Sequence, residues 1–170
     1  VVSGRACVRG SSIVAVAGEA RFQPVGRSEL GRGPIGGTAD PLVVVSGEAK
    51  LMLRVWRVAT ALRDARNIRV VESALVGFEG DYRFAVGRAC GLDIVTLEGR
   101  GSLLLDSPSA PLVAPVAGDT FVVSSEILLA WTDGLVLEPG PTAGAAPLVQ
   151  LPGTGHVFLA PTAASESVGA

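Results

Sequence analysis

The sequence predicts an all-β protein, a β-sandwich or triangular barrel of about ten strands made from three internal repeats. Three observations carry that expectation. The 22 Gly and 11 Pro of the 170-residue chain are spread along its length between short apolar runs, as tight turns between strands require. Charged residues are only 18% of the total, whereas a helical bundle draws heavily on Glu, Lys, Gln and Leu. The third observation is that the chain aligns with itself.

The clearest repeats are PLVVVSGEAKLML at 41–53, DIVTLEGRGSLLL at 93–105 and PLVQLPGTGHVFL at 147–159, which align without gaps around Gly47, Gly99 and Gly153. Each reads as an apolar strand, a glycine break and a second apolar strand, the break marking a bulge or turn. A second element precedes each of them: CVRGSSIVAVAG at 7–18, RVVESALVGFEG at 69–80 and, with one insertion, FVVSSEILLAWTDG at 121–134. Three or four strands per repeat follow. Segments 26–40 and 138–147 read as loops, and residues 58–65 carry a helical stripe through Val58, Ala61, Leu62 and Ala65 that fits either a short helix or a turn with a strand behind it. One β domain over residues 1–160 and a disordered tail at 161–170 are expected, since APTAASESVGA has little to bury. A single domain of this size buries about 70% of the surface its unfolded chain exposes.

The residue inventory argues against an enzyme: the sequence predicts no catalytic, cofactor-binding or metal-binding residues. GRGPIG at 31–36 has the spacing of a dinucleotide fingerprint, but neither the strand before it nor the helix after it that this chemistry needs. His156 is the single imidazole and aligns with Lys50 and Ser102, which marks an exposed repeat position and not a base. Cys7 and Cys90 lack a metal or redox spacing and read as small buried or half-buried residues of a reducing compartment. Asp81, Asp106, Asp119 and Asp133 read as turn residues at strand ends, and Glu72, Glu98 and Glu126 as solvent-facing strand residues. Trp56 and Trp131 are expected in strands, in the core or at a subunit interface.

Charge is the more informative property. Residues 1–85 carry twelve basic side chains against eight acidic, and residues 86–170 two against eight, so the halves are +4 and −6. Such polarity either gives an assembled protein a polar face that favours association or reflects where solvated side chains fall. Arg54, Arg57, Arg63, Arg66 and Arg69, with Trp56 among them, form the candidate anion-binding site, because guanidinium with an aromatic neighbour suits phosphate or single-stranded nucleic acid. The competing account is a solvated edge strand whose charge blocks unwanted pairing. No apolar stretch reaches the length of a membrane span, and thirteen Arg against one Lys favour a GC-rich bacterial genome and a cytoplasmic location.

LVGFEGDYRF at 75–84, GRGSLLL at 99–105, AGDTFVVSSEILLAWTDGL at 117–135 and LVQLPGTGHVFL at 148–159 resemble the altered-inheritance-of-mitochondria family. The resemblance implies a many-stranded β-sandwich classed with the tryptophan RNA-binding attenuation protein. It implies no enzymatic activity and no catalytic residues; mitochondrial members are tied to inner-membrane organisation. The expectation is therefore a non-enzymatic structural or interaction module acting as a homo-oligomer. The alternative is binding of an anion, nucleic acid or anionic lipid through the arginine cluster, and a further protein partner is compatible with either.

Overall fold

The computed structural model describes residues 2–25, 40–141 and 147–160. The GRGPIG segment and the tail at 161–170 lie outside them, as does most of the two expected loops.

The chain is all-β. Its strands are β1 (Val2–Arg9), β2 (Ile13–Pro24), β3 (Leu42–Leu53), β4 (Val58–Val71), β5 (Leu75–Ala89), β6 (Leu92–Ser107), β7 (Leu112–Ser124), β8 (Leu128–Thr132), β9 (Glu138–Pro139) and β10 (Leu148–Leu159). They form one antiparallel sheet in the order β2-β3-β1-β5-β6-β4-β8-β10-β7, with β9 beside β10. The sheet is not closed into a barrel, and β2 and β7 are its two ends.

The pairing runs the same way three times. A first strand (β1, β4, β7) ends in a three-residue turn, 10–12, 72–74 or 125–127, and leads into a second strand (β2, β5, β8). A third strand (β3, β6, β10) then inserts between them. Its register against the first strand repeats: Val8 faces Val43, Val70 faces Val95 and Val123 faces Val149. Against the second strand, Val16 faces Leu51, Phe78 faces Leu103 and Trp131 faces Val157. Neighbouring units join by short ladders of three residue pairs each, Ala6–Val8 on β1 against Gly77–Glu79 on β5, and Ile68–Val70 on β4 against Ala130–Thr132 on β8.

Gly47, Gly99 and Gly153 have φ of +117°, +125° and +124°. A β-carbon there would overlap the carbonyl oxygen of Glu19 on β2, Asp81 on β5 or Gly134 in the turn after β8, residues at the same place in each unit. The third strand therefore bends into close backbone contact with its partner, an approach open only to glycine.

Three departures from the expected strands have physical causes. Each gapless segment, expected as two strands on either side of a glycine break, is one strand bent at that glycine. The stripe at 58–65 belongs to β4, not to a helix. Asp64 and Asn67 adopt positive φ and the register slips at Leu62/Ala65 and Arg66/Ile68, so the bulge at Asp64 lets Leu62 and Ala65, three apart, both pack against the core, while Val58 and Ala61 lie exposed in the regular ladder before it. The segment 138–147 is also not entirely loop, because Glu138 and Pro139 pair with Gln150 and Val149.

The core has two main clusters. One joins the first two units through Leu42, Leu75, Phe78, Leu97, Leu103 and Leu105; the other surrounds Trp131 with Leu135, Val149, Leu151 and Val157. Trp131 is fully buried, and its indole Nε1–H has no hydrogen-bond partner among the described residues. Trp56 lies outside any strand, in the link at 54–57, and is 65% exposed.

Replacing Gly99 by Ala should destabilise the protein by about 2–4 kcal/mol, from left-handed backbone strain plus displacement of Asp81. Gly87→Ala, on β5 with nothing near the added methyl, should be neutral or stabilising by up to about 1 kcal/mol. Urea unfolding of the two variants measures the contrast.

Candidate functional site

The five arginines are placed by β4 and by the link that leads into it. Arg54 donates its backbone N–H to Ser12 O at 2.6 Å, and its guanidinium lies 5.1 Å from the centre of the exposed Trp56 ring. Arg57 is tied to Asp106 at the end of β6: its backbone N–H donates to Oδ1 at 3.0 Å, and its Nε lies 3.4 Å from Oδ2. Asp106 is buried, so this cation and the backbone donor serve to satisfy a carboxylate removed from water. Arg69 pairs with Asp133 at 2.9 Å and also donates to the Asp133 carbonyl. Arg63 and Arg66 are exposed on the middle of β4, without an ion pair among the described residues. With an advance of about 3.3 Å per residue, the five groups follow the strand's length and do not converge on one point.

The acidic residues behave differently from their sequence-based assignment. Asp106 lies within the end of β6, and Asp133 in the turn after β8, each neutralised by an arginine. Asp81 and Asp119 lie inside β5 and β7, not at strand ends, each beside a glycine of positive φ, Gly80 or Gly118. Glu72 occupies the turn before β5 and is buried, and its carbonyl accepts from the Arg9 guanidinium. Glu126 occupies the turn before β8, while Glu98 is exposed on β6 as expected.

A cavity of about 310 Å³ is lined by Arg9, Asp40, Arg54, Trp56 and Asp106 among others. Both of its carboxylates are engaged: Asp40 with Arg9 at 3.7 Å and with the Ser11 N–H, and Asp106 with Arg57. His156 is exposed, its backbone N–H held by Thr132 Oγ1 at 2.9 Å. Among the described residues no group of three or more His, Cys, Asp or Glu is placed to hold a metal ion. No helix there is long and apolar enough to cross a membrane.

Both cysteines are free thiols, Cys7 buried on β1 and Cys90 half-buried between β5 and β6. Burial pushes the Cys7 thiol up from 9.0 to about 11, the Arg5 charge opposing it.

The surface feature that sequence reasoning missed is the pair of open edges. Ten large hydrophobic residues are exposed among the described residues, and six lie on the two terminal strands: Val14, Val16 and Phe22 on β2, and Leu112, Val113 and Val122 on β7. The residues that open the second strand are fully covered in two units: Leu75–Phe78 and Leu128–Trp131 are buried throughout. At the matching place on β2, Val14 and Val16 are 49% and 38% exposed. On the first strands, Cys7 is buried and Arg69 half-buried, whereas Val122 is 44% exposed. A partial sequence signal existed: the position of Val16 is apolar in all three units, with Phe78 and Trp131 as its equivalents, whereas that of Val122 holds Cys7 and Arg69 in the others. Strand order, which decides whether a neighbour covers them, was not in it.

The fold and surface thus define an all-β protein with an open sheet whose two terminal strands carry exposed apolar side chains and pair on one side only among the described residues. No protein-family model matches the chain, and no curated protein matches it by sequence. Among solved structures, the crystal structure of protein SPYM3_0169 from Streptococcus pyogenes is similar, with a TM-score of 0.73, 18% identity, and coverage of 94% of this chain and 84% of that one. At that identity the likeness is one of fold.

A thiol reagent added to the native protein at pH 8 should modify Cys90 and leave Cys7 until the chain unfolds. Because the folded Cys7 holds its proton more tightly than the unfolded thiol, its contribution to stability is full below about pH 9 and lost as the pH rises towards 11. Mass spectrometry of the labelled protein and unfolding curves between pH 8 and 11 check both expectations.

Proposed function

We propose that this protein is a non-enzymatic structural or interaction module that works as a homo-oligomer. The observation that carries the reading is the concentration of exposed large hydrophobics on the two terminal strands. An uncovered strand edge with apolar side chains favours pairing with another chain, and a monomer ordinarily blunts it with charge, proline or a covering loop. The opposite net charges of the two sequence halves add attraction between copies. The resemblance to the altered-inheritance-of-mitochondria family, which implies no enzymatic activity, accords with this role. So do the engaged carboxylates of the 310 Å³ cavity. Light scattering coupled to size-exclusion chromatography should give a mass of two or more chains at micromolar concentration; a monomer at high micromolar concentration overturns the reading.

A second reading, anion binding along β4, is favoured by Arg63 and Arg66, whose charges are exposed and unpaired among the described residues. The Arg54–Trp56 stack adds an aromatic face. Binding of a single-stranded oligonucleotide or of anionic vesicles should then appear at low salt and fall steeply as salt is raised, more weakly still in an Arg63→Ala/Arg66→Ala variant. Absence of binding to either at low salt removes this reading.

A further inference from the structure

We infer that copies of this chain join head to tail, β7 of one copy adding antiparallel to β2 of the next, with Val122 opposite Val16, Phe121 opposite Ala17 and Val123 opposite Ala15. The inference rests on the homo-oligomeric reading above and specifies which surfaces meet and in what register.

The protein already contains this junction twice. Between the first and second units, the first strand β1 pairs with the second strand β5 through Ala6↔Glu79, Cys7↔Phe78 and Val8↔Gly77. Between the second and third, β4 pairs with β8 through Ile68↔Thr132, Arg69↔Trp131 and Val70↔Ala130. The ladders to the third strands fix the correspondence independently of sequence. Val8, Val70 and Val123 face Val43, Val95 and Val149; Val16, Phe78 and Trp131 face Leu51, Leu103 and Val157. Cys7 and Arg69 therefore correspond to Val122, and Phe78 and Trp131 to Val16. Carrying the rule one step on, the first strand of the third unit meets the second strand of a following first unit.

Burial supports that step. Phe78 and Trp131 are 8% and 0% exposed and Cys7 3%, all at existing junctions, whereas Val16 and Val122 are 38% and 44% exposed where the junction is missing. The occupant is a second copy because the missing partner of each edge is a strand this chain carries at its other end. Within one molecule β2 and β7 stand at opposite ends of the strand order, and the sheet is not closed. Charge selects head-to-tail contact over like-with-like: β2 belongs to the half of net charge +4 and β7 to the half of −6. The interface is heterologous, so it generates a ring or an extended series, not an isolated two-fold pair. β7 is also blunted outside the inferred ladder, since Pro115 has no backbone N–H to offer.

Directly opposed residues of an antiparallel pair lie within disulfide reach. The test uses full-length chains carrying Cys90→Ala, so that only the buried Cys7 remains of the native thiols. Two differently tagged variants, Val16→Cys and Val122→Cys, are co-expressed, purified together, oxidised and run on a non-reducing gel. The expected result is a crosslinked product containing both tags as the main species, absent when Val16→Cys is paired with Val113→Cys. The latter position lies nine residues, about 30 Å, along β7 from Val122. Self-crosslinking of either variant alone as the main product shows like edges meeting and overturns the inference. So does a Val16→Cys/Val122→Cys double variant that crosslinks only within single chains. Oligomeric mass by scattering without the mixed crosslink discards this junction and leaves the homo-oligomer standing. A monomeric wild-type protein discards both.

Discussion

The arrangement depends on one constraint: in each unit the third strand to be made must fit between the first two. A strand that pairs on both sides satisfies its backbone groups within the unit, and so pushes the first and second strands to the outside. The insertion needs very close backbone approach at one point, where Gly47 or Gly99 meets a carbonyl of the second strand and Gly153 one in the turn just after it. Because the order within every unit is second, third, first, each unit presents a first-strand edge on one side and a second-strand edge on the other. Units then add in one sense only, and the sheet of three units ends with one edge of each kind.

That constraint was partly legible in the sequence. The three gapless segments around Gly47, Gly99 and Gly153 became β3, β6 and β10, and the preceding apolar segments lie on the strand pairs around each three-residue turn. Alignment shows which residues correspond; it carries no information on which strand lies beside which. The exposure of Val16 and Val122 was therefore invisible, although Val16 sits at a position that is apolar in all three units. The stripe at Val58 and Ala61 misled for a local reason. Both are exposed on regular strand, and only Leu62 and Ala65 share the buried face, brought there by the bulge at Asp64; at the second bulge the Asn67 side chain accepts the Gly99 N–H at 2.8 Å. Trp56 could not be placed by hydrophobicity because the 54–57 link holds it outward against Arg54.

The arginine cluster shows how contiguity in sequence differs from a site. Arg57 and Arg69 have short-range structural partners, Asp106 and Asp133, both on elements far along the chain. Removing the Arg57 side chain would leave the buried Asp106 carboxylate only the backbone N–H at Arg57 among these contacts, a loss felt in stability before any loss of binding. A pattern of guanidiniums on one strand thus contains two kinds of residue. One kind holds a carboxylate, as Arg57 does at the end of β6 and Arg69 within the β4–β8 ladder; the other, Arg63 and Arg66, leaves its charge in water.

Arg69 also explains why the two internal junctions need not equal each other or the one inferred between copies. Its position corresponds to Cys7 in the first unit and to Val122 in the third, so the same ladder is flanked in turn by a small buried thiol, a cation held by Asp133, and an exposed aliphatic side chain. The two internal junctions are covalently tethered, which keeps the effective concentration of their partners high. They can therefore retain a charged or small residue at the contact. A junction between separate copies has no tether and pays the full loss of translational freedom. Its strength must come from the contact surface, and Val122 against Val16 supplies two β-branched aliphatic side chains in the directly opposed geometry in which such pairs stabilise antiparallel strands.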